Sequence, residues 1–202
     1  ERHRAKPADL ACQRVASAAF AYRPLVSIVV PCYKTDRVYL RELLDSVLAQ
    51  SYDNWELLLM DASPEWDAVA NLAAAANDER VCRIELPGNG GIVLNTNAGI
   101  QQATGDYIAF LDHDDILEPD ALFQYVSALN KAAEGERPQV LFCDEDVFQK
   151  TGEWGQPVFK TKLNVDLLYS HNCVTHFLMV EKALIDRIGT VSYTHLTLPT
   201  IR

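Results

Sequence analysis

Leu25-Val26-Ser27-Ile28-Val29-Val30-Pro31, followed five residues later by Asp36 and the run Arg37 to Leu48, decides the fold. The first piece is short, β-branched and apolar at nearly every position, as a strand covered on both faces must be. Pro31 is predicted to end it. In the second piece Val38, Leu40, Leu43, Leu44, Val47 and Leu48 recur at three- and four-residue intervals, which predicts an amphipathic helix with Asp36 as its cap. The unit is strand, loop, helix.

Reading outward, the unit repeats. Trp55 to Met60 is a strand ending at Asp61, and 64–77 a helix opening at Pro64 with Glu65 and Asp67 at its positive end. Val81 to Leu86 is a third strand, the turn Pro87-Gly88-Asn89-Gly90-Gly91 leads into a helix over 92–103, and Gly105 closes it. Tyr107 to Leu111 is a fourth strand, 119–133 a helix and Val140 to Cys143 a fifth strand. Strands alternating with helices of this length predict an α/β, Rossmann-like fold: a mostly parallel sheet with helices on both faces. Upstream, residues 1–24 are basic, then alanine-rich, and close at Pro24; a helix over 10–21 makes them a linker or a peripheral element.

Composition limits the function. The 202 residues carry 28 acidic and 18 basic side chains, a formal charge of -10, so there is no basic field to gather a phosphate backbone and no nucleic-acid partner is expected. An anionic ligand would need a cation. Cys12, Cys32, Cys82, Cys143 and Cys173 are odd in number and lack any Cys-x-x-Cys pair, which argues against a disulfide scaffold or zinc site and for a reduced, cytoplasmic protein. No apolar run approaches the roughly 20 residues that span a bilayer, so no membrane span is expected.

In open parallel sheets ligands gather beyond the carboxyl ends of the strands. Four predicted strands end there in polar or special residues: Pro31-Cys32-Tyr33-Lys34, Asp61-Ala62-Ser63, Asp112-His113-Asp114-Asp115 and Asp144-Glu145-Asp146. The third is the most informative, because Asp106 to Asp120 holds six acids and no Lys or Arg. Adjacent carboxylates repel unless a cation neutralises them, and loosely constrained oxygen ligands suit Mg²⁺ or Mn²⁺. Asp114 or Asp115 capping the next helix is the competing reading. A calcium loop is excluded, since Ile116 stands where a ligand should and the central glycine is missing.

Asp61 is placed either to accept a uracil imide N–H or to cap the helix at Pro64. Tyr33 can pack on a base and Lys34 can meet phosphate. Asn95 and Asn97 either support the acidic loop or face water, and close packing of helix on sheet accounts for Gly99. His171 and His176 are five residues apart in a stretch that reads as extended, where hydrogen-bonded structural roles outweigh metal ligation. Trp154 and Tyr169 form either a sugar-stacking platform or part of the core.

Taken together, the residues resemble the family 2 glycosyltransferases with the GT-A fold. The resemblance is carried by Val26 to Lys34, Leu48-Ala49-Gln50-Ser51-Tyr52, Trp55-Glu56-Leu57 leading to Asp61, Asn97-Ala98-Gly99 and Gly105 to Asp115; Asp144-Glu145-Asp146 and Ser170-His171-Asn172 match a bacterial branch that builds cell-surface polysaccharides. It implies inverting, metal-dependent sugar transfer from a UDP or TDP donor to a saccharide or lipid-linked acceptor, by a cytoplasmic protein that can sit at the inner face of the membrane. The implied donor set is Pro31, Tyr33, Lys34, Asp61, Asn97, Asp112 and His113, and the implied Mn²⁺ or Mg²⁺ ligands are Asp112 and Asp114, the family's D-x-D. The family's catalytic base is expected just after Gly189 in an acidic segment, where this chain reads Val191 to Arg202 without an acid. That leaves Asp144, Glu145 and Asp146 as substitutes. The expectation is therefore a domain over 25–189, truncated at its C-terminal end and followed by a non-native tail at 190–202, with a binding module lacking turnover as the alternative. Thr96 stands where many relatives carry a basic residue toward the donor phosphate. A phosphohydrolase using Asp112 as nucleophile and Asp114 as acid is a third reading, but its D-x-D should end the first core strand, and here three strands precede it.

Overall fold

The computed structural model describes residues 4–147, 155–160, 163–170, 172, 174 and 176–190. In chain order these form α1 (Pro7–Ala18), β1 (Val26–Cys32), α2 (Arg37–Leu48), β2 (Trp55–Asp61), α3 (Ala68–Ala76), β3 (Val81–Glu85) and α4 (Gly91–Gln102). There follow β4 (Tyr107–Phe110), α5 (Ala121–Lys131), β5 (Val140–Leu141), α6 (Val165–Ser170), β6 (Leu178–Glu181) and α7 (Lys182–Ile188). The sheet order is β3-β2-β1-β4-β6-β5. Strands β1 to β4 run parallel; β6 is inserted antiparallel between β4 and β5.

Alternation along β1 splits the core in two. Val26, Ile28, Val30 and Cys32 pack with Leu57 and Leu59 against α2, α3 and α5, while Val29 joins Leu58, Met60 and Ile108 under α4 and α7. That double cover is why the segment is apolar at successive positions. On the second face Gly99 of α4 sits so close to the sheet that a Cβ there would lie 2.3 Å from Val29 Cγ1 and 3.1 Å from Met60 Cγ. On the first, Asp36 caps α2 as expected, its carboxylate accepting the Val38 N–H at 2.7 Å.

Three expectations need correction. Pro31 does not end β1, which continues to Cys32. Val29 O accepts from Leu111 toward β4 and Cys32 O from Ala62 toward β2, so the missing N–H of Pro31 falls on the β4 side, where pairing has already stopped at Phe110. The helix expected over 64–77 begins only at Ala68. Residues 63–67 form a separate turn, because Trp66 N–H bonds Ser63 O, its indole N–H bonds Thr35 O at 3.0 Å, and Asp67 pairs with Arg37. The region expected to be extended around 171–176 is preceded by α6 and followed by β6, neither of which was expected; the short apolar run Leu178-Met179-Val180 is the sequence signal for β6.

Residues 7–18 form a helix that leans on α5, with Gln13 bonded to Asp120 and to Ser51 and Phe20 stacked on Phe123 at 5.5 Å. At the amino edge of the sheet, Arg80 lies 3.8 Å over the Trp55 ring and grips Asp78 through two hydrogen bonds of 2.9 and 2.6 Å. Its guanidinium pulls the Asp78 carboxyl down to about 2.

Two outcomes follow from this packing. Gly99→Ala gains helix propensity but collides with β1, so urea denaturation should show a net loss of about 1–3 kcal/mol. Asp78→Asn should be less stable than the wild type by about 1–2 kcal/mol at pH 7. Because the folded carboxyl is depressed, its contribution is complete above the unfolded value near 3.8 and disappears as pH falls through about 2, so the two proteins should converge in acid melts below pH 4.

Candidate functional site

The carboxyl edge of β1, β2 and β4 is built by loops laced to one another. After β1, Lys34 takes a left-handed conformation (φ 48°), donating its N–H to Ser63 Oγ at 2.9 Å in the loop after β2. Its ammonium lies 5.4 Å from the centre of the Tyr33 ring, and Tyr33 is 43% exposed. Pro31, Tyr33 and Lys34 thus border the same edge. Cys32 beneath them is fully buried, and burial pushes its thiol up to about 12, as suits an inert core side chain.

The acidic loop is anchored from behind by the end of α2. Gln50 donates to Glu118 O at 2.8 Å and accepts from Leu122 N–H at 3.0 Å, Ser51 N–H bonds Pro119 O, and Ser46 Oγ accepts from Leu117 N–H. The front of the loop faces out. Asp112, Asp115 and His176 bring one potential ligand atom each within 4.8 Å of one another. His176 Nδ1 stands 2.8 Å from Asp115 Oδ2. Asp114 is exposed and lies outside this group; His113 is half-buried, its Nδ1 without a hydrogen-bond partner. Neither Asp114 nor Asp115 caps the next helix, which starts at Ala121 beyond Asp120.

Burial by its neighbours and then the charge of Asp115 raise the Asp112 carboxyl above its ordinary value. At His176 burial works to lower the imidazole, but the hydrogen bond and charge of Asp115 outweigh it and the net shift is upward. Two carboxylates and an imidazole converging on one point at a ligand-binding edge fit a hard or borderline divalent cation.

Asp61 does not cap a helix at Pro64, and its carboxylate is bonded within the protein. Its carboxylate has no exposed surface; Oδ1 accepts from Ser63 N–H at 3.1 Å and Oδ2 from Arg83 Nε at 2.8 Å, while α3 begins too far on to be capped by it. Arg83, which also pairs with Glu85, was missed in the sequence. The signal was there: a single Arg within Val81-Cys82-Arg83-Ile84-Glu85, on the strand parallel to the one that ends at Asp61.

Asp144 and Glu145 are committed elsewhere. Glu145 pairs with Lys160 at 2.6 Å and Asp144 accepts the Lys160 N–H at 2.7 Å, while Glu145 and Val158 exchange backbone hydrogen bonds. Asn95 does not support the acidic loop or face water: it is buried and closes the turn before α4, accepting from Gly90 N–H and donating to Asn89. Asn97 is half-buried on the same helix, and Thr96 is buried. Tyr169 is 78% exposed on α6. Trp154, His171, Cys173 and the acid-free stretch 191–202 lie outside the described residues, and the four described cysteines are unpaired.

A family model described as Glycosyl transferase family 2 matches residues 27–189, which include every one of these loops. The chain belongs to that family. Among its relatives is the O-antigen biosynthesis protein RfbC of Myxococcus xanthus, 33% identical over 186 residues that cover 91% of this chain and 14% of that protein. The fold is that of GT-A members. Residues 1–349 of TarS from S. aureus, solved with UDP-GlcNAc, align with a TM-score of 0.65 at 21% identity over 81% of this chain and 47% of theirs. The mannosyltransferase PcManGT from Pyrobaculum calidifontis, solved with GDP-Man and Mn²⁺, aligns with a TM-score of 0.60 at 18% identity over 91% of this chain and 59% of its own. The chain therefore spans less than two thirds of each of these proteins. Among the described residues, no helix is long and apolar enough to cross a membrane.

Asp61 is a buried carboxylate paired with Arg83. Arg83→Ala strands the Asp61 carboxylate and should lower stability by about 2–4 kcal/mol in thermal and urea melts, whereas adding Asp61→Asn to it should recover part of the loss.

Proposed function

We propose that residues 25–189 form a glycosyltransferase domain that binds a UDP or TDP sugar with Mn²⁺ or Mg²⁺ and transfers the sugar, with inversion, to a saccharide or lipid-linked acceptor in cell-surface polysaccharide synthesis. Residues 1–24 are peripheral to that unit. The observation that carries the reading is the convergence of Asp112 with neighbouring ligand groups at the same sheet edge as Pro31, Tyr33 and Lys34. Its support from relatives is the O-antigen role in the name of RfbC, and the UDP-GlcNAc and the GDP-Man with Mn²⁺ bound to the two solved neighbours.

In this reading Tyr33 offers its exposed face to the base, and Lys34 supplies a positive charge beside the diphosphate. Asp61 reaches a pyrimidine imide only if Arg83 swings aside; with Arg83 in place it acts by orienting that guanidinium. Asn97 and His113 complete the donor side, His113 with a ring nitrogen still to be satisfied. A divalent ion held by the acidic loop would offset the charge of the diphosphate and of the departing nucleotide. A carboxylate must then take the proton of the acceptor hydroxyl. Asp144, Glu145 and Asp146 are the candidates, and Glu145 is already engaged in an ion pair with Lys160. This favours, as the second reading, a donor-binding module without turnover.

Calorimetry and product analysis separate the two. UDP and TDP sugars should bind in the presence of Mn²⁺ and lose at least tenfold in affinity on chelation or in Asp112→Asn. Transfer or slow donor hydrolysis marks the enzyme, and tight binding without either marks the module. A folded protein with no manganese-linked affinity for any sugar nucleotide defeats both.

A further inference from the structure

Resting on that reading, we propose that the segment 4–24 braces the donor site, with Gln13 as a positioning residue that fixes the return limb of the acidic loop, 117–122, through Asp120 and Ser51. The segment lies outside the residues matched by the family model.

Burial does not account for its helix. Of the 12 residues of α1 only Ser17 is buried, and only Leu10 and Gln13 besides it are not exposed. A helix of this length is marginal in water by itself, and so little apolar cover adds almost nothing to a core. What holds it, and what it holds, are specific contacts.

Gln13 is the clip. Its side-chain oxygen accepts from Ser51 Oγ at 2.8 Å and its amide nitrogen donates to Asp120 Oδ2 at 3.3 Å. Ser51 is buried and its own N–H bonds Pro119 O at 2.8 Å, so one side chain joins α1, the stretch after α2 and the limb that leads into α5. An aspartate at a helix start ordinarily accepts from the backbone of the first turn. Asp120 makes no such bond; Gln50 Oε1 accepts from Leu122 N–H in its place, which leaves the Asp120 carboxylate to Gln13 and Gln124.

The clip acts on α5. The start of this helix continues the acidic loop, and Tyr125, one turn in, donates to Phe177 O at 2.7 Å, next to His176. The segment fastens the far end of α5 as well: Tyr22 N–H donates to Asn130 Oδ1 at 3.0 Å and Tyr22 O accepts from Asn130 Nδ2 at 2.8 Å, with Phe20 stacked on Phe123 between the two clips. The acidic loop and the turn that carries His176 thus rest on one helix, secured at both ends. Binding groups keep their geometry only as well as their support does.

The test uses the full 202-residue chain. Gln13→Glu keeps the size of the side chain and the acceptor for Ser51 but sets a carboxylate against Asp120. The limb offers three reporters, the N–H groups of Leu117 on Ser46 Oγ, Ala121 on Glu118 O and Leu122 on Gln50 Oε1. Native-state hydrogen exchange without ligand should be about tenfold faster at these amides in Gln13→Glu and in Gln13→Met, which cuts both arms, with β1 and β2 unchanged. Titrated with UDP and Mn²⁺, Gln13→Glu should bind about fivefold more weakly at a temperature where circular dichroism shows it fully folded. Adding Asp120→Asn returns an N–H to the new carboxylate, so the swap should restore both exchange and affinity; a helix that only adds stability would shift melting and leave affinity alone. Unaltered exchange at the limb, exchange raised equally in every strand, or undiminished affinity in a variant whose limb has loosened overturns the brace. Wild-type protein without manganese-linked affinity for UDP overturns the donor reading and the positioning role with it, and exchange measured without ligand tells that failure from the others.

Discussion

Everything in this molecule depends on β1 being paired on both edges and covered on both faces. A strand so enclosed can be only as polar as its ends. The consequence is spatial: β1, β2 and β4 are parallel and in register, so their carboxyl ends deliver Tyr33, Asp61 and Asp112 to one rim, however far apart they are in sequence. The two residues whose backbone chemistry might have disturbed this are placed where it does no harm. Pro31 presents its missing donor to a side where β4 has ended, and Gly99 lets α4 approach to a distance that no side chain would allow.

At the rim, the ordering principle is charge compensation. Asp61 is neutralised by Arg83, Glu145 by Lys160, and Asp115 in part by His176. Among the described residues, Asp112 and Asp114 have no ion-pair partner. Both are exposed, but Asp112 is crowded by its neighbours and by the charge of Asp115, which push its carboxyl above the ordinary value. The unmet electrostatic demand is therefore centred on Asp112 and shared by what touches it.

Legibility in the sequence followed the physics of each element. Segments governed by periodicity, such as β1, α2 and α4, were readable because their burial is local and repetitive. The helix placed at Pro64 was not, because its start is set by Trp66 and Asp67 binding the loop after β1, a contact between segments about 30 residues apart. The Leu48-Ala49-Gln50-Ser51-Tyr52 stretch was recognisable as a pattern while its purpose was hidden. Only in three dimensions does Gln50 brace the exit of the acidic loop and Tyr52 donate to Pro24 O at 2.6 Å. The rim residues Asp112 and Tyr33 could be named from strand ends, whereas Arg83 and the His176–Asp115 contact depend on which strands become neighbours.

β6 is where the least legible part of the fold meets the most consequential. It is antiparallel, short and slotted between β4 and β5, so the turn before it lies at the same rim that the parallel strands reach by their carboxyl ends. A parallel addition would have offered its carboxyl end there and placed its approach loop at the opposite edge. Reversal brings His176 beside Asp115, so donor atoms from two sides of the sheet, one approaching and one leaving, converge on a single point.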